Sequence, residues 1–216
     1  MTKRFFFLLI LVLALPVTAT AQIVGRTPND EYIHAYTADN GQTIYFTALE
    51  AEPNVTKRDV NFDGQEDLVV MTSMGASNFF CEFFVNDGGR YVQAQHFGLS
   101  TGLCNYELYP ELGIVASHAS NGHAGALYEK CLFRWEGTDL RLIRRGSSEE
   151  LTEFAFTDDA YTVTTYKDRL HIVIRDYASG DYEGTVLWEQ VVDLNQMEMD
   201  AAMFDQVTAL LWQGLR

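Results

Sequence analysis

The chain has 216 residues, 47% of them apolar, enough to bury a core and to exclude disorder as the main state. Lys and Arg total 15 against 30 Asp and Glu. Such a balance excludes nucleic acid and anionic lipid surfaces as partners, because their phosphates would be repelled, and favours a cationic partner.

Residues 1–21 read as a secretory signal peptide: Lys3 and Arg4, an apolar run from Phe5 to Leu15, then Ala19-Thr20-Ala21 as the cleavage site. The run is too short to span a bilayer well, and no cysteine lies at the cut to take a lipid. The expectation is a periplasmic or secreted protein starting at Gln22, with no membrane insertion after cleavage. Losing Lys3 and Arg4 leaves 13 basic residues against 30 acidic ones, a formal charge of −17.

From Gln22 onward the pattern has period two, as in Thr43 to Thr47 and Leu170 to Arg175, which predicts a mainly β protein. Turn chemistry recurs at Asp39-Asn40-Gly41, Asn86-Asp87-Gly88-Gly89, Asn121-Gly122, Glu136 to Asp139 and Ser179-Gly180-Asp181, so the strands are expected to form antiparallel hairpins. No linker composition interrupts residues 22–216, which are read as a single domain. Near the end the period changes. Met203, Phe204, Val207, Leu210 and Leu211 fall on one helical face with Asp200 placed to cap it, predicting a C-terminal amphipathic helix over an edge or end of the sheets.

The strongest chemistry lies in residues 59–67, DVNFDGQED. Asp59, Asn61 and Asp63 alternate, Gly64 supplies a φ > 0 bend, Gln65 offers its backbone carbonyl and Asp67 closes the loop, an oxygen set that suits Ca²⁺. Val70 stands where an EF-hand has its closing Glu, and Leu68 to Met71 reads as a strand. The loop resembles the strand-associated calcium loops of FG-GAP repeats, the type found in integrin α-chain propellers. A structural role is expected, because these ligands leave no position for a substrate; the bland alternative is an acidic surface turn.

Downstream come Gly75-Ala76-Ser77-Asn78, an aromatic strand Phe79 to Phe84, the strand Leu112 to Ser117, the turn Ser120 to Gly125 and a return strand through Tyr128 to Trp135. Together with the calcium loop, this order resembles exported bacterial proteins related to the periplasmic inhibitors of invertebrate-type lysozyme, a group that includes immunity proteins against peptidoglycan-cleaving effectors. The resemblance spans roughly residues 55–145. It implies a two-lobed or truncated β-propeller-like arrangement, a structural Ca²⁺, and a hairpin that plugs the cleft of a lysozyme-like peptidoglycan hydrolase. By position the inhibitory loop is Ser120, Asn121, Gly122, His123 and Gly125, with Tyr128 near its base. The alternatives are an ordinary hairpin turn there, and, for the whole protein, an exported adhesion or scaffolding module whose calcium loop only holds the fold.

No catalytic set is assigned, and the chain is read as a non-enzyme. Among His34, His96, His118, His123 and His171, only His118 and His123 are near neighbours, and no third zinc ligand follows at a recognised spacing. A secreted hydrolase would need a carboxylate pair that no motif indicates. Phe79, Phe80, Phe83 and Phe84 read as a strand buried between layers; Tyr161, Tyr166, Tyr177 and Tyr182 read as strand residues, with a sugar-stacking surface as the alternative. Of Cys81, Cys104 and Cys131, the pair Cys104 and Cys131 is the preferred disulfide for an oxidising compartment, the alternative being three buried thiols.

Overall fold

The computed structural model describes residues 20–97, 102–122, 127–157, 160–193 and 201–215; most of the signal peptide and Asp200 lie outside them. The strands in chain order are β1 (Gln22–Arg26), β2 (Tyr32–Thr37), β3 (Thr43–Ala48), β4 (Val55–Arg58), β5 (Asp67–Met74), β6 (Phe79–Asp87), β7 (Arg90–Gln93) and β8 (His96–Phe97). They continue with β9 (Leu103–Cys104), β10 (Glu107–Tyr109), β11 (Ile114–Gly122), β12 (Leu127–Glu136), β13 (Asp139–Thr157), β14 (Ala160–Asp176) and β15 (Thr185–Asp193), followed by helix α1 (Ala201–Trp212).

These strands make three sheets. One is the meander β1-β2-β3, the second runs β4-β5-β6-β7 with β9 added on β6, and the third runs β10 through β15 in order with β8 joining β13. Pairing is antiparallel everywhere except β8 with β13. The predicted turns at 39–41, 86–89, 136–139 and 179–181 each separate two sequential strands.

Burial explains how the sheets are arranged. In β5, Leu68 and Val70 face Phe46 and Ile44 of the first sheet, whereas Val69 joins Phe133 and Leu140 of the third. Phe84 and Phe83 of β6 divide in the same way. The second sheet is therefore covered on both faces, which is why its strands are apolar at consecutive positions. The third sheet is also double-sided: Val115 and Phe133 pack toward the second sheet, and Ile114, Leu132, Ile172 and Ile174 pack under α1. The result is a four-layer stack of sheet, sheet, sheet and helix. This differs from the propeller-like expectation: among the described residues no sheet closes, and the sheets pack face to face instead of as blades.

Two boundaries differ from the sequence reading. Leu112 belongs to a 3₁₀ turn, Pro110–Leu112, so β11 begins only at Ile114. The helix lies on a sheet face, not on an edge, burying Val207, Leu211 and Trp212. Trp212 meets Tyr109 with ring centroids 4.7 Å apart.

A buried arginine holds the helix end. Arg144 of β13 is 7% exposed, and its Nη1 donates to the carbonyls of Leu211 at 3.0 Å and Gln213 at 2.7 Å, carbonyls that the helix itself leaves without partners. Its Nη2 donates to Asp176 Oδ2 at 2.6 Å. Burial pushes the Asp176 carboxyl up, but the Arg144 bond and the Ala178 amide outweigh it and hold it below the usual carboxylate value. Arg144→Ala is expected to cost about 3 kcal/mol in urea unfolding, since it leaves a carboxylate and several carbonyls without their donor. In the parent, the contribution of this pair is complete above the ordinary carboxylate pKa and is lost as pH falls through the lower folded value; urea midpoints from about pH 7 down to about pH 2.5 should show that loss, absent in the variant.

Candidate functional site

The loop between β4 and β5 is tightly curled by its own side chains. Asp59 Oδ1 accepts from the Phe62 amide at 2.7 Å and Oδ2 from the Gly64 amide at 3.0 Å. Asn61 Oδ1 accepts from the Asp63 amide at 3.2 Å, and Asp63 Oδ1 from the Gln65 amide at 2.8 Å. These Asx-type bonds turn the chain through Phe62 and Gly64, both at positive φ, and Gly64 meets no side-chain penalty there.

Asp59, Asn61 and Asp63 thus share one short loop, and Asn61 Nδ2 lies 3.0 Å from Asp63 Oδ2. Each bonded oxygen keeps a second lone pair, so the amide contacts do not bar a hard cation. Asp67 differs. It is fully buried, with Oδ2 accepting from the Val60 amide and Oδ1 from the Asn86 amide, both at 2.8 Å. Burial pushes its carboxyl up, against the lowering effect of those amides. Asp67 therefore anchors the loop to β6 while lying beside Asn61 and Asp63, and among the described residues no three of His, Cys, Asp or Glu converge in a metal-holding group. The residues that fit a calcium ion in donor chemistry are Asp59, Asn61, Asp63, the carbonyl of Gln65 and, by the same count of lone pairs, Asp67.

The anchoring extends across the stack. Val60 is fully buried; its amide goes to Asp67, and its carbonyl accepts from Trp135 Nε1 of β12 at 2.8 Å. One loop residue consequently ties the second sheet to the third.

The expected inhibitory loop joins β11 to β12. Residues 123–126, including His123 and Gly125, lie outside the described residues; Ser120, Asn121 and Gly122 end β11. Ser120 is half-buried and pairs with Tyr128. Its backbone is gripped from the side: Asn78 Oδ1 accepts the Ser120 amide at 3.0 Å and Asn78 Nδ2 donates to the Ser120 carbonyl at 2.8 Å. Asn105, at φ 42°, donates to the carbonyls of Ser77 and His118 and accepts from the Phe79 amide. The hairpin is braced against the second sheet by these two asparagines. Tyr128 is only 8% exposed, and burial pushes its hydroxyl up to about 12, which places it in the core under the hairpin and not on a contact surface.

The histidines stand apart. His34 is fully buried, stacked on Phe46 at 5.3 Å with Nε2 to the Glu50 carbonyl; His96 Nε2 meets Glu82 at 3.3 Å; His171 Nε2 meets Glu189 at 2.6 Å. Among the described residues His118 makes no hydrogen bond to another histidine, and His123 lies outside them.

The expected Cys104–Cys131 disulfide is corrected: all three cysteines are free and buried. Ser117 explains why. It pairs with Cys131 across β11 and β12, while its hydroxyl bonds the Cys104 amide and carbonyl, each at 2.9 Å, so a serine stands between the two cysteines. Burial raises all three thiols, Cys81 to about 11, which keeps them protonated and unreactive.

No family model, curated protein or solved structure matches the chain. Sequence reasoning missed the Asn78 and Asn105 braces and the inward turn of Asp67. The one available signal was Leu68 to Met71: a strand that is apolar from its first residues draws the residue starting it into the core. In chelator, Asp67→Ala is expected to lower stability by about 2 kcal/mol, because the Val60 and Asn86 amides lose their acceptor; urea midpoints measure it.

Proposed function

We propose that the protein is a calcium-stabilised periplasmic binding protein that inhibits a lysozyme-like peptidoglycan hydrolase by presenting the 120–125 hairpin. The observation that carries this reading is the two-sided grip of Asn78 on the Ser120 backbone. A hairpin that enters a cleft loses affinity for every residue it must order on binding, and a base already fixed by side chains reduces that cost. The contacts would come from the backbone and from Ser120 and His123, with Tyr128 as the buried footing. The strongly acidic surface steers the protein toward basic hydrolases. The resemblance described above supplies the target class.

Calcium in this reading sits among Asp59, Asn61, Asp63, the Gln65 carbonyl and Asp67, and it offsets the repulsion of an exposed acidic loop. Its role is to hold the turn between β4 and β5.

A second reading, an adhesion or scaffolding module, draws on β13 and β14. Residues 151–157 and 160–166 pair with each other and, among the described residues, with no third strand, making a two-stranded ribbon that overhangs the sheet. Val163 on it is 50% exposed.

Excess protein with calcium should inhibit an invertebrate-type lysozyme in a peptidoglycan turbidity assay. Gly125→Arg should weaken that inhibition at least tenfold with an unchanged melting curve, whereas Val163→Glu should not. If no lysozyme class is inhibited, the inhibitor reading is lost; partner capture abolished by Val163→Glu alone would establish the second reading. Separately, calcium at about 100 times its Kd should raise the melting temperature by several degrees, a shift that Asp63→Ala abolishes. Identical melts in calcium and chelator would remove the ion from the proposal.

A further inference from the structure

The loop from β14 to β15, residues 177–184, reads Tyr-Ala-Ser-Gly-Asp-Tyr-Glu-Gly. With Arg141, Leu142 and Arg145 of β13 it lines a half-open pocket of about 350 Å³, within the range of small-molecule sites. Tyr177, Asp181 and Tyr182 supply the loop's side of the wall.

The loop is built to bring these groups together. The Tyr177 amide donates to the Ile143 carbonyl at 2.9 Å, hooking the loop onto β13, and the Ala178 amide donates to Asp176 Oδ1 at 2.8 Å. At Gly184 an added Cβ would fall 2.8 Å from the Tyr177 ring, and at Gly180 it would fall 3.2 Å from Arg141 Nη2; both residues have positive φ. At Gly184 only glycine lets the backbone lie this close to the Tyr177 ring, and at Gly180 the positive φ favours glycine beside the Arg141 guanidinium. Tyr182, by contrast, is 96% exposed, an unburied aromatic flank beside two arginines.

The arginines keep binding capacity. Arg141 bonds Glu136 at 2.6 Å, with 38% and 59% of the two side chains exposed, and Arg145 meets Glu129. The exposed Arg141 pair contributes at most about 1 kcal/mol, and in both arginines these contacts leave part of the five guanidinium donors over. The one acid in the wall, Asp181, has Oδ1 turned to the Glu183 amide at 3.1 Å. Two planar forks beside two phenol rings match a molecule with a carboxylate at one end and, at the other, a six-membered ring that offers an apolar face.

We propose that this pocket binds a small ring-bearing carboxylate, the carboxylate on Arg141 and Arg145 and the ring against Tyr177 and Tyr182. The same chemistry occurs in sugar acids and in aromatic acids. NMR titration of the full mature chain with D-glucuronate and with benzoate, each beside its neutral counterpart, glucose or benzyl alcohol, tests it. The expected result is saturable shifts of the Tyr177 to Gly184 amides with at least one acid, at a Kd of about 5 mM or tighter, and at least tenfold weaker binding of its neutral counterpart. Saturation by glucuronate alone assigns a sugar acid, and by benzoate alone an aromatic acid. Arg141→Gln should weaken binding at least tenfold. Tyr182→Ala, at a position too exposed to affect folding, should weaken it at least threefold with an unchanged melting curve. Equal binding of the neutral compounds, no saturation by either acid up to about 20 mM, or full affinity in Tyr182→Ala would overturn the proposal.

Discussion

The backbone of Val60 is the point on which the arrangement turns. Its amide is held by a buried carboxylate and its carbonyl by a tryptophan of the neighbouring sheet. A buried peptide group without partners costs on the order of 1–3 kcal/mol, so both bonds are required once the residue is inside. They impose a geometry: Asp67 must point inward, the loop must curl to return the chain to Val60, and Trp135 must lie flat enough to stack near Phe83, with centroids 6.3 Å apart. The acidic loop and the interface between the second and third sheets are consequently one unit, and a cation bound by the outer part of the loop would act on that interface through Asp67.

The same logic recurs at other junctions. Where layers meet away from the apolar contacts, single polar side chains close the backbone accounts: Ser117 for Cys104, Asn78 for Ser120, Asn105 for Ser77 and His118, Arg144 for the end of α1. Each satisfies backbone groups that strand pairing leaves over at a change of element. Stacked sheets need such groups because their edges and bends fall next to neighbouring layers instead of water.

Local features of this fold were readable in advance. Period two marks Thr43 to Thr47 and Leu170 to Arg175, four of the five predicted turns fall between sequential strands while Asn121-Gly122 ends β11, and the apolar run Leu68 to Met71 marks a strand covered on both faces. The helix register was legible from Val207 and Leu211. What was not legible is non-local. Nothing in the spacing of Asn78 and Ser120, 42 residues apart, says that one will grip the other. Tyr177 and Tyr182 look like ordinary strand residues until the loop carries them to Arg141 and Arg145, whose own alternation is shifted by the bulge where β13 meets Leu132 and Phe133. The preferred disulfide failed for a related reason, since proximity of strands does not say which face, or which intervening serine, separates two cysteines.

Those cysteines have a consequence for handling the protein. Folded, the three thiols are shielded and protonated, and an oxidising compartment has no access to them. Released by heat or urea, the same chain exposes an odd number of sulfhydryls that meet oxygen and one another without a native pairing to favour. Reversibility of denaturation therefore depends on added reductant, and in air the chain's survival becomes a race between refolding and scrambled cross-linking, set by the unfolding rate more than by equilibrium stability.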